Sequence, residues 1–232
     1  MDFSGIVLAG GGGTRMGVDK RFLPLGDKPL LSWTVERLRP LVDEMLLVAL
    51  DTAPFADWNV RAVTDHFAGQ GVLAGMHAGL AAARGAWALV VGGDMPLLSP
   101  ALVTAMLQLT SAADVDIIVP EWHGELEPLH ALYRTATCAP AAEAVLRAGK
   151  RRIVAFYPQV RVQVFPHAEI ARWDPEGLSF FNVNTPEDWV AAGRYLGLPQ
   201  DAPGMGVNAD LPAADVTCDG DAPGPRECRC QG

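Results

Sequence analysis

The sequence is poor in the features that mark disulfide-bonded, membrane-spanning or nucleic-acid-binding proteins. Only 4 of its 232 residues are cysteine, and Cys218, Cys228 and Cys230 crowd into the last 15 residues in a spacing that fits neither a disulfide framework nor a standard zinc site. No apolar run approaches the length of a membrane span, and the first one follows no basic segment, so we expect a cytoplasmic protein without a membrane partner. The net charge of -9 argues against a nucleic-acid partner, because phosphate backbones are held by clustered Lys and Arg.

What the sequence does contain is an alternation of short apolar runs and longer helical patterns. Apolar runs predict strands at 3–9, 45–50, 60–64, 86–93, 116–120 and 160–165, and a loop with a strand at 121–133. Helical spacing predicts helices over 29–39, 71–84, 99–109, 137–148 and 185–196. This order predicts a three-layer α/β fold, a mostly parallel sheet with helices on both faces.

The composition changes near the end of this pattern. Residues 198–232 contain five prolines and five glycines and show almost no periodicity. We therefore expect one domain over residues 1–197, followed by a flexible acidic tail over residues 198–232.

Four consecutive glycines, Gly10 to Gly13, follow the first predicted strand. Ligands of parallel sheets bind at the carboxyl ends of the strands, where a glycine backbone can present its N–H groups to a phosphate. The Gly-Lys-Ser/Thr ending of a P-loop is missing, and in a dinucleotide-binding G-x-G-x-x-G loop Arg15 and Lys20 would crowd the pyrophosphate. The glycines therefore favour a triphosphate site that is neither of these loops.

Charged residues beside the glycines and after the central strand fit the same ligand. Arg15 and Lys20 supply a guanidinium and an ammonium that can hold phosphate oxygens and neutralise a departing pyrophosphate. Asp94 ends the apolar strand at 86–93, where a carboxylate can bind Mg2+ together with substrate phosphates. The alternatives are a solvated turn for the two cations and a capping or loop role for Asp94. His130 is expected to be a hydrogen-bonded strand residue and not a catalytic one.

Seven motifs occur in order between residues 3 and 195. They read LAGGGGTRMGVDK, LPLGDKPLL, VLAGMHAGL, GGDMPLLSP, EPLHALY, AGKRR and FFNVNTPED. In this ordered set the chain resembles the molybdenum cofactor guanylyltransferases, which are nucleotidyltransferases with a Rossmann-like fold. The resemblance implies transfer of GMP from GTP to the terminal phosphate of molybdopterin carrying molybdenum, with release of pyrophosphate and with Mg2+ as cofactor. Proteins that deliver the pterin cofactor, and molybdoenzymes that accept it, become candidate partners.

The resemblance also implies roles for single residues. Arg15, Lys20 and Asp94 are the catalytic candidates, and Asp94 would hold Mg2+. Asn182 and Asn184 are expected near the pterin substrate, with Lys150, Arg151 and Arg152 as candidate helpers. The implied nucleotide-binding residues are Leu8, Ala9, Gly10, Gly11, Lys20, Asp65 and Asp94.

The chain departs from the family pattern at one point, and three further functions stay open. Many family members have an asparagine at the end of the second strand where this chain reads ALDT, so the role of Leu50 or Asp51 is in doubt. The sibling cytidylyltransferase usually has LAAG where this chain has LAGG, and the extra glycine leaves more room for a purine, which favours guanine over cytosine. A sugar-phosphate nucleotidyltransferase and a nucleotide-binding protein without catalysis also stay open.

Overall fold

Strands and helices alternate along the chain as the apolar periodicity predicts. The computed structural model describes residues 2–10, 19–64, 71–111 and 114–199. Within these ranges the strands are β1 (Phe3–Leu8), β2 (Pro24–Leu25), β3 (Lys28–Pro29), β4 (Glu44–Ala49), β5 (Arg61–Thr64), β6 (Trp87–Gly92), β7 (Ile117–Trp122), β8 (Glu125–Leu126), β9 (His130–Arg134) and β10 (Val162–Phe165). The α-helices are α1 (Leu30–Leu38), α2 (Val72–Ala82), α3 (Pro100–Leu109), α4 (Thr135–Arg147), α5 (His167–Ile170) and α6 (Pro186–Tyr195).

The central sheet is mostly parallel. Its strand order is β10-β7-β9-β6-β1-β4-β5, with β8 paired to β7. β1 runs parallel to β4 and β6, whereas β9 runs antiparallel to both β6 and β7. The link from β7 to β9 is too short for the helical crossover that a parallel neighbour needs, so β9 returns antiparallel. The sheet therefore places the carboxyl ends of β1, β4, β6 and β7 at one edge.

Helices cover both faces of the sheet, and the predicted three-layer α/β fold is confirmed. On one face α2 and α4 pack their apolar side chains, among them Leu73, Met76 and Val145, against the buried residues of the sheet. On the other face α1 and α3 do the same with Leu31, Leu38 and Met106. The central strand β6 is buried along its whole length, which explains its continuous apolar sequence.

The last helix packs beside the hairpin β2–β3. α6 begins at Thr185, whose side chain accepts a hydrogen bond from the N–H of Asp188 in a capping box. Its Trp189 is 7% exposed and donates a hydrogen bond from Nε1 to the carbonyl of Pro24, 3.1 Å away, in the hairpin β2–β3. These contacts hold the segment before α6, residues 182–184, beside the end of β6.

The predicted boundary between domain and tail stays a prediction. The structure describes the chain as far as residue 199, and residues 200–232 lie outside the described part. No helix among the described residues is long and apolar enough to cross a membrane.

The close approach of α2 to the sheet generates a stability prediction. A Cβ at Gly79 would lie 2.5 Å from Cγ2 of Ile6, whereas a Cβ at Gly75 would meet its nearest neighbour, Cγ1 of Val48, at an ordinary 3.7 Å. We expect Gly79→Ala to lower the free energy of unfolding by about 1–3 kcal/mol through overpacking. Gly75→Ala, the matched control on the same helix, should leave it unchanged or raise it by about 0.5–1 kcal/mol. Urea unfolding of both variants measures this, and equal effects would contradict the packing argument.

Candidate active site

Glycines shape the carboxyl edge of the sheet where β1 and β6 end. The N–H of Gly93 donates to the carbonyl of Leu8 over 3.0 Å, which ties the two strand ends together. A Cβ at Gly93 would lie 2.7 Å from Cδ1 of Leu31, and a Cβ at Gly92 would lie 2.7 Å from Oδ1 of Asp94. A side chain at either position would therefore displace Asp94 or Leu31, and the Asp94 carboxylate packs directly over the end of β6.

Lys20 joins this edge to the segment before α6. Its Nζ donates to Oδ2 of Asp94 at 2.6 Å, to Oδ1 of Asn184 at 3.1 Å and to the carbonyl of Val183 at 3.4 Å. The Val183 N–H in turn donates to the Asp94 carbonyl over 2.9 Å. Three predicted residues, Lys20, Asp94 and Asn184, are thus brought together from positions far apart in sequence.

A pocket opens above these residues. Its lining combines strand ends, glycines and both cations of the 19–21 turn: Leu8, Ala9, Gly10, Lys20, Arg21, Leu30, Val72, Gly92, Gly93, Asp94 and Leu129. Five of the implied nucleotide-binding residues, Leu8, Ala9, Gly10, Lys20 and Asp94, lie in it. Gly11, Arg15 and Asp65 lie outside the described residues.

The remaining described candidates are not among the residues that line this pocket. Asn182 donates from Nδ2 to the carbonyl of Phe180, 3.0 Å away, and no hydrogen bond among the described residues joins it to Lys20 or Asp94. Lys150, Arg151 and Arg152 are exposed, and Arg151 approaches Gly71, the residue before α2.

The end of β4 resolves part of the question about the missing asparagine. The Asp51 carboxylate accepts a hydrogen bond from the N–H of Ala53 over 3.0 Å, so this side chain caps a local turn. Leu50 is 58% exposed. Asp51 is exposed as well, so both side chains are accessible to a ligand.

The strand β9 carries a titratable group in an unusual environment. His130 is wholly buried, and among the described residues neither of its ring nitrogens has a hydrogen-bond partner. Its ring packs edge-on against Phe180, with ring centroids 5.3 Å apart. The expectation of a hydrogen-bonded His130 is therefore wrong: the apolar packing leaves the imidazole without polar neighbours in reach. Burial lowers the pKa of His130 to about 4, although Asp174 opposes the shift.

Sequence reasoning missed several pocket residues. Arg21 stands out in the sequence only as part of a basic cluster, whereas Val72 and Leu129 lie in two of the seven motifs but were not singled out. The only sequence signal for Arg21 is its place beside Lys20. Its contact with Ala9, which lies 12 residues earlier in the chain, leaves no local pattern in the sequence.

Together, the parallel sheet, the glycine-rich edge and the paired Lys20 and Asp94 are typical of nucleotide-binding transferases. The chain matches the family described as the MobA-like NTP transferase domain over residues 5–164. Among solved structures, it is similar to molybdopterin-guanine dinucleotide biosynthesis protein A from Archaeoglobus fulgidus, with a TM-score of 0.73, 28% identity and coverage of 84% of this chain and 98% of that one. A cytidylyltransferase from Thermus thermophilus, at 19% identity and a TM-score of 0.62 over 83% of this chain and 98% of that one, shares the fold.

Curated relatives identify the family within this broader group of transferases. The chain is 39% identical over 206 residues to a probable molybdenum cofactor guanylyltransferase of Chloroflexus aggregans, covering 85% of this chain and 96% of that one. It is 32% identical over 186 residues to a molybdenum cofactor guanylyltransferase of Desulfosudis oleivorans, covering 80% of this chain and 91% of that one. The chain belongs to the molybdenum cofactor guanylyltransferase family.

His130 generates a prediction about acid stability. The unfolded chain protonates this residue near its ordinary pKa of 6.5, whereas the folded chain keeps it neutral down to about pH 4. Its contribution to stability is therefore full above pH 6.5 and is lost as the pH falls towards 4, by up to about 3 kcal/mol. We expect His130→Phe to lack this loss and to be more stable at pH 7 by about 1–3 kcal/mol, because no unpaired nitrogen remains buried.

The measurement is urea unfolding of both proteins between pH 4 and pH 7. Subtracting the two pH profiles cancels the contributions of the carboxyl groups that both proteins share. A difference that stays constant with pH would show that His130 does not titrate in this window.

Proposed function

We propose that the chain transfers GMP from GTP to the terminal phosphate of molybdopterin carrying molybdenum, in a reaction that needs Mg2+. The observation that carries the proposal is the position of Lys20. Its ammonium lies between Asp94, which lines the pocket, and Asn184, in the motif that the resemblance links to the pterin. A cation at this junction can neutralise phosphates that arrive from both sides.

The proposed reaction needs no general base. An anionic oxygen of the pterin phosphate attacks the α-phosphorus of GTP, and a new P–O bond forms. The bond from the α-phosphorus to the oxygen that bridges to the β-phosphorus breaks, and pyrophosphate leaves with the electron pair. Because the nucleophile is already an anion, the protein contributes chiefly by alignment and by stabilising charge. Lys20 is placed to stabilise the departing pyrophosphate.

The residues present fit a magnesium ion. Asp94 lines the pocket, and its Oδ2 already holds a cation, the ammonium of Lys20 at 2.6 Å. Mg2+ typically takes one or two carboxylates and completes its coordination with water and substrate phosphates, so Asp94 would hold it. When bound, the ion would supply positive charge to the phosphate groups.

The rival functions differ in how well they agree with the relatives. The names of the curated relatives favour guanylyl transfer over cytidylyl or sugar-phosphate transfer. The pairing of Lys20 with Asp94 supports catalysis rather than simple nucleotide binding, because a cation lies beside a carboxylate that could hold the proposed metal. Cofactor-delivery proteins and acceptor molybdoenzymes stay candidate partners.

Nucleotide selectivity is the first test of the proposed function. With molybdopterin cofactor and Mg2+, we expect pyrophosphate release from GTP and little or none from CTP, ATP or UTP. Phosphate release after coupling to a pyrophosphatase measures this. Preference for CTP would move the assignment to cytosine dinucleotide synthesis, and no release with any nucleotide would overturn the proposal.

Substitutions in the ion pair test the roles of its two members. Asp94→Ala should abolish turnover, because it removes the proposed metal ligand. Lys20→Ala should lower kcat by about a hundred- to a thousandfold, because charge on the leaving group goes unneutralised. Turnover close to wild type in Asp94→Ala would refute the metal assignment.

A matched control tests whether the effect depends on the position of Lys20 in the pocket or only on the loss of a positive charge. Lys28 is also paired with a carboxylate, Glu36, but lies outside the pocket lining. Lys28→Ala should keep the kcat of wild type, and thermal unfolding of all three variants checks that each is folded. An equal loss of kcat in Lys28→Ala would contradict a specific role for Lys20.

A further inference from the structure

Arg21 connects the two ends of the glycine-rich segment. Its Nη1 donates to the carbonyl of Ala9 at 2.9 Å, where β1 has just ended. Its Nε donates to the Asp19 carboxylate at 2.8 and 2.9 Å, and its Nη2 donates to the same group. In the sequence, residues 11–18 lie between Ala9 and Asp19, and one guanidinium joins these two flanking residues.

The contact with Ala9 fixes the direction of the next peptide N–H. A peptide bond is planar and trans, so the N–H of Gly10 points away from the Ala9 carbonyl and hence away from the Arg21 guanidinium. Gly10 lines the pocket, and a Cβ built on it would meet nothing within 4 Å. Protein packing among the described residues thus gives no reason for a glycine here, whereas a ligand that approaches the backbone does.

Asp19 orients Lys20 through the same guanidinium. The Asp19 carboxylate accepts a hydrogen bond from the Arg21 N–H over 3.1 Å and begins the short 3-10 turn Lys20–Phe22. In that turn Lys20 extends to Asp94 while Arg21 extends back to Ala9. Hydrogen bonding from the Arg21 side chain lowers the pKa of Asp19, so the carboxylate stays ionised and paired.

Aromatic packing holds the guanidinium in place. Its central carbon lies 5.5 Å from the ring centroids of both Phe22 and Phe55. Phe55 is wholly buried and belongs to the core beneath α1. The Arg21 side chain is 17% exposed, so it acts as an internal tie and not as a mobile surface charge.

We propose that Arg21 is a positioning residue of the nucleotide site, which ties Ala9 to Asp19 so that the Gly10 N–H and the Lys20 ammonium face the triphosphate together. The inference rests on the proposed function, because it takes GTP as the ligand. Arg21 itself need not touch the nucleotide. Lysine cannot replace it, since an ammonium lacks the planar fork that reaches both acceptors at once.

Equilibrium binding of GTP and GMP tests the inference. Titration calorimetry with Mg2+ should show Arg21→Lys and Arg21→Ala binding GTP about tenfold more weakly. Their affinity for GMP should change less than twofold, because GMP lacks the outer phosphates that the Gly10 N–H and Lys20 would hold. Arg39→Ala is the matched control, since Arg39 also donates to backbone carbonyls, those of Trp58 and Asn59, outside the pocket lining. It should bind both nucleotides as wild type does.

The Asp19→Asn variant distinguishes an anchoring role of Asp19 for Arg21 from a purely electrostatic effect of its negative charge. Removal of a negative charge near the phosphates should tighten GTP binding if only electrostatics matters. If Asp19 anchors the Arg21 tie, binding should weaken by about threefold or more. Unchanged GTP affinity in both Arg21 variants, equal losses for GTP and GMP, or tighter binding in Asp19→Asn would each overturn the inference. If wild type itself fails to bind GTP, the proposed function fails instead. Arg21→Lys keeps the test valid should Arg21→Ala not fold.

Discussion

The three hydrogen bonds of the Lys20 ammonium are the interaction on which the site depends. An ammonium has three N–H donors, and here they reach a carboxylate, an amide and a carbonyl from two segments that lie far apart in the sequence. Without a cation, the Asp94 carboxylate would lie against the Asn184 amide oxygen and the Val183 carbonyl, which are also acceptors. The Lys20 ammonium that organises the site is also the group that would attract a phosphate.

Close packing determines where that carboxylate can lie. Asp94 follows two glycines, and a Cβ at either would come within 2.7 Å of a side-chain atom, Oδ1 of Asp94 for Gly92 and Cδ1 of Leu31 for Gly93. The apolar strand before them is wholly buried, so the chain leaves the sheet with its backbone fixed. A rigid strand that ends in glycines thus delivers a charged group to the sheet edge with little freedom, which is how this fold prepares a site before its ligand arrives.

Local patterns predicted the fold well, and tertiary contacts set the limit of prediction. Period and length were enough for β1, β6 and α1, because buried strands and amphipathic helices leave clear apolar spacing. The antiparallel direction of β9 left no such mark, since strand direction depends on the length of its connection. Lys20 could be found because it ends the glycine-rich motif after β1, and Asp94 because it follows the end of β6, whereas the Arg21 contact with Ala9 depends on how a turn folds back. The unpaired state of His130 was hidden because a sequence does not show which groups surround a buried ring.

The paired cations explain how an acidic protein can present a site for a polyanion. Because the chain carries a net charge of -9, a phosphate-binding surface made of cations without carboxylate partners would need many more basic residues. Here Lys20 is paired with Asp94 and Arg21 with Asp19, and the side chains of both pairs are at most 32% exposed. Partial burial strengthens each interaction and protects it from salt screening. Asp94 would hold the proposed Mg2+, and the Lys20 ammonium would then be available to a phosphate, so the positive charge of the site would rise only when the ligand and its metal are present.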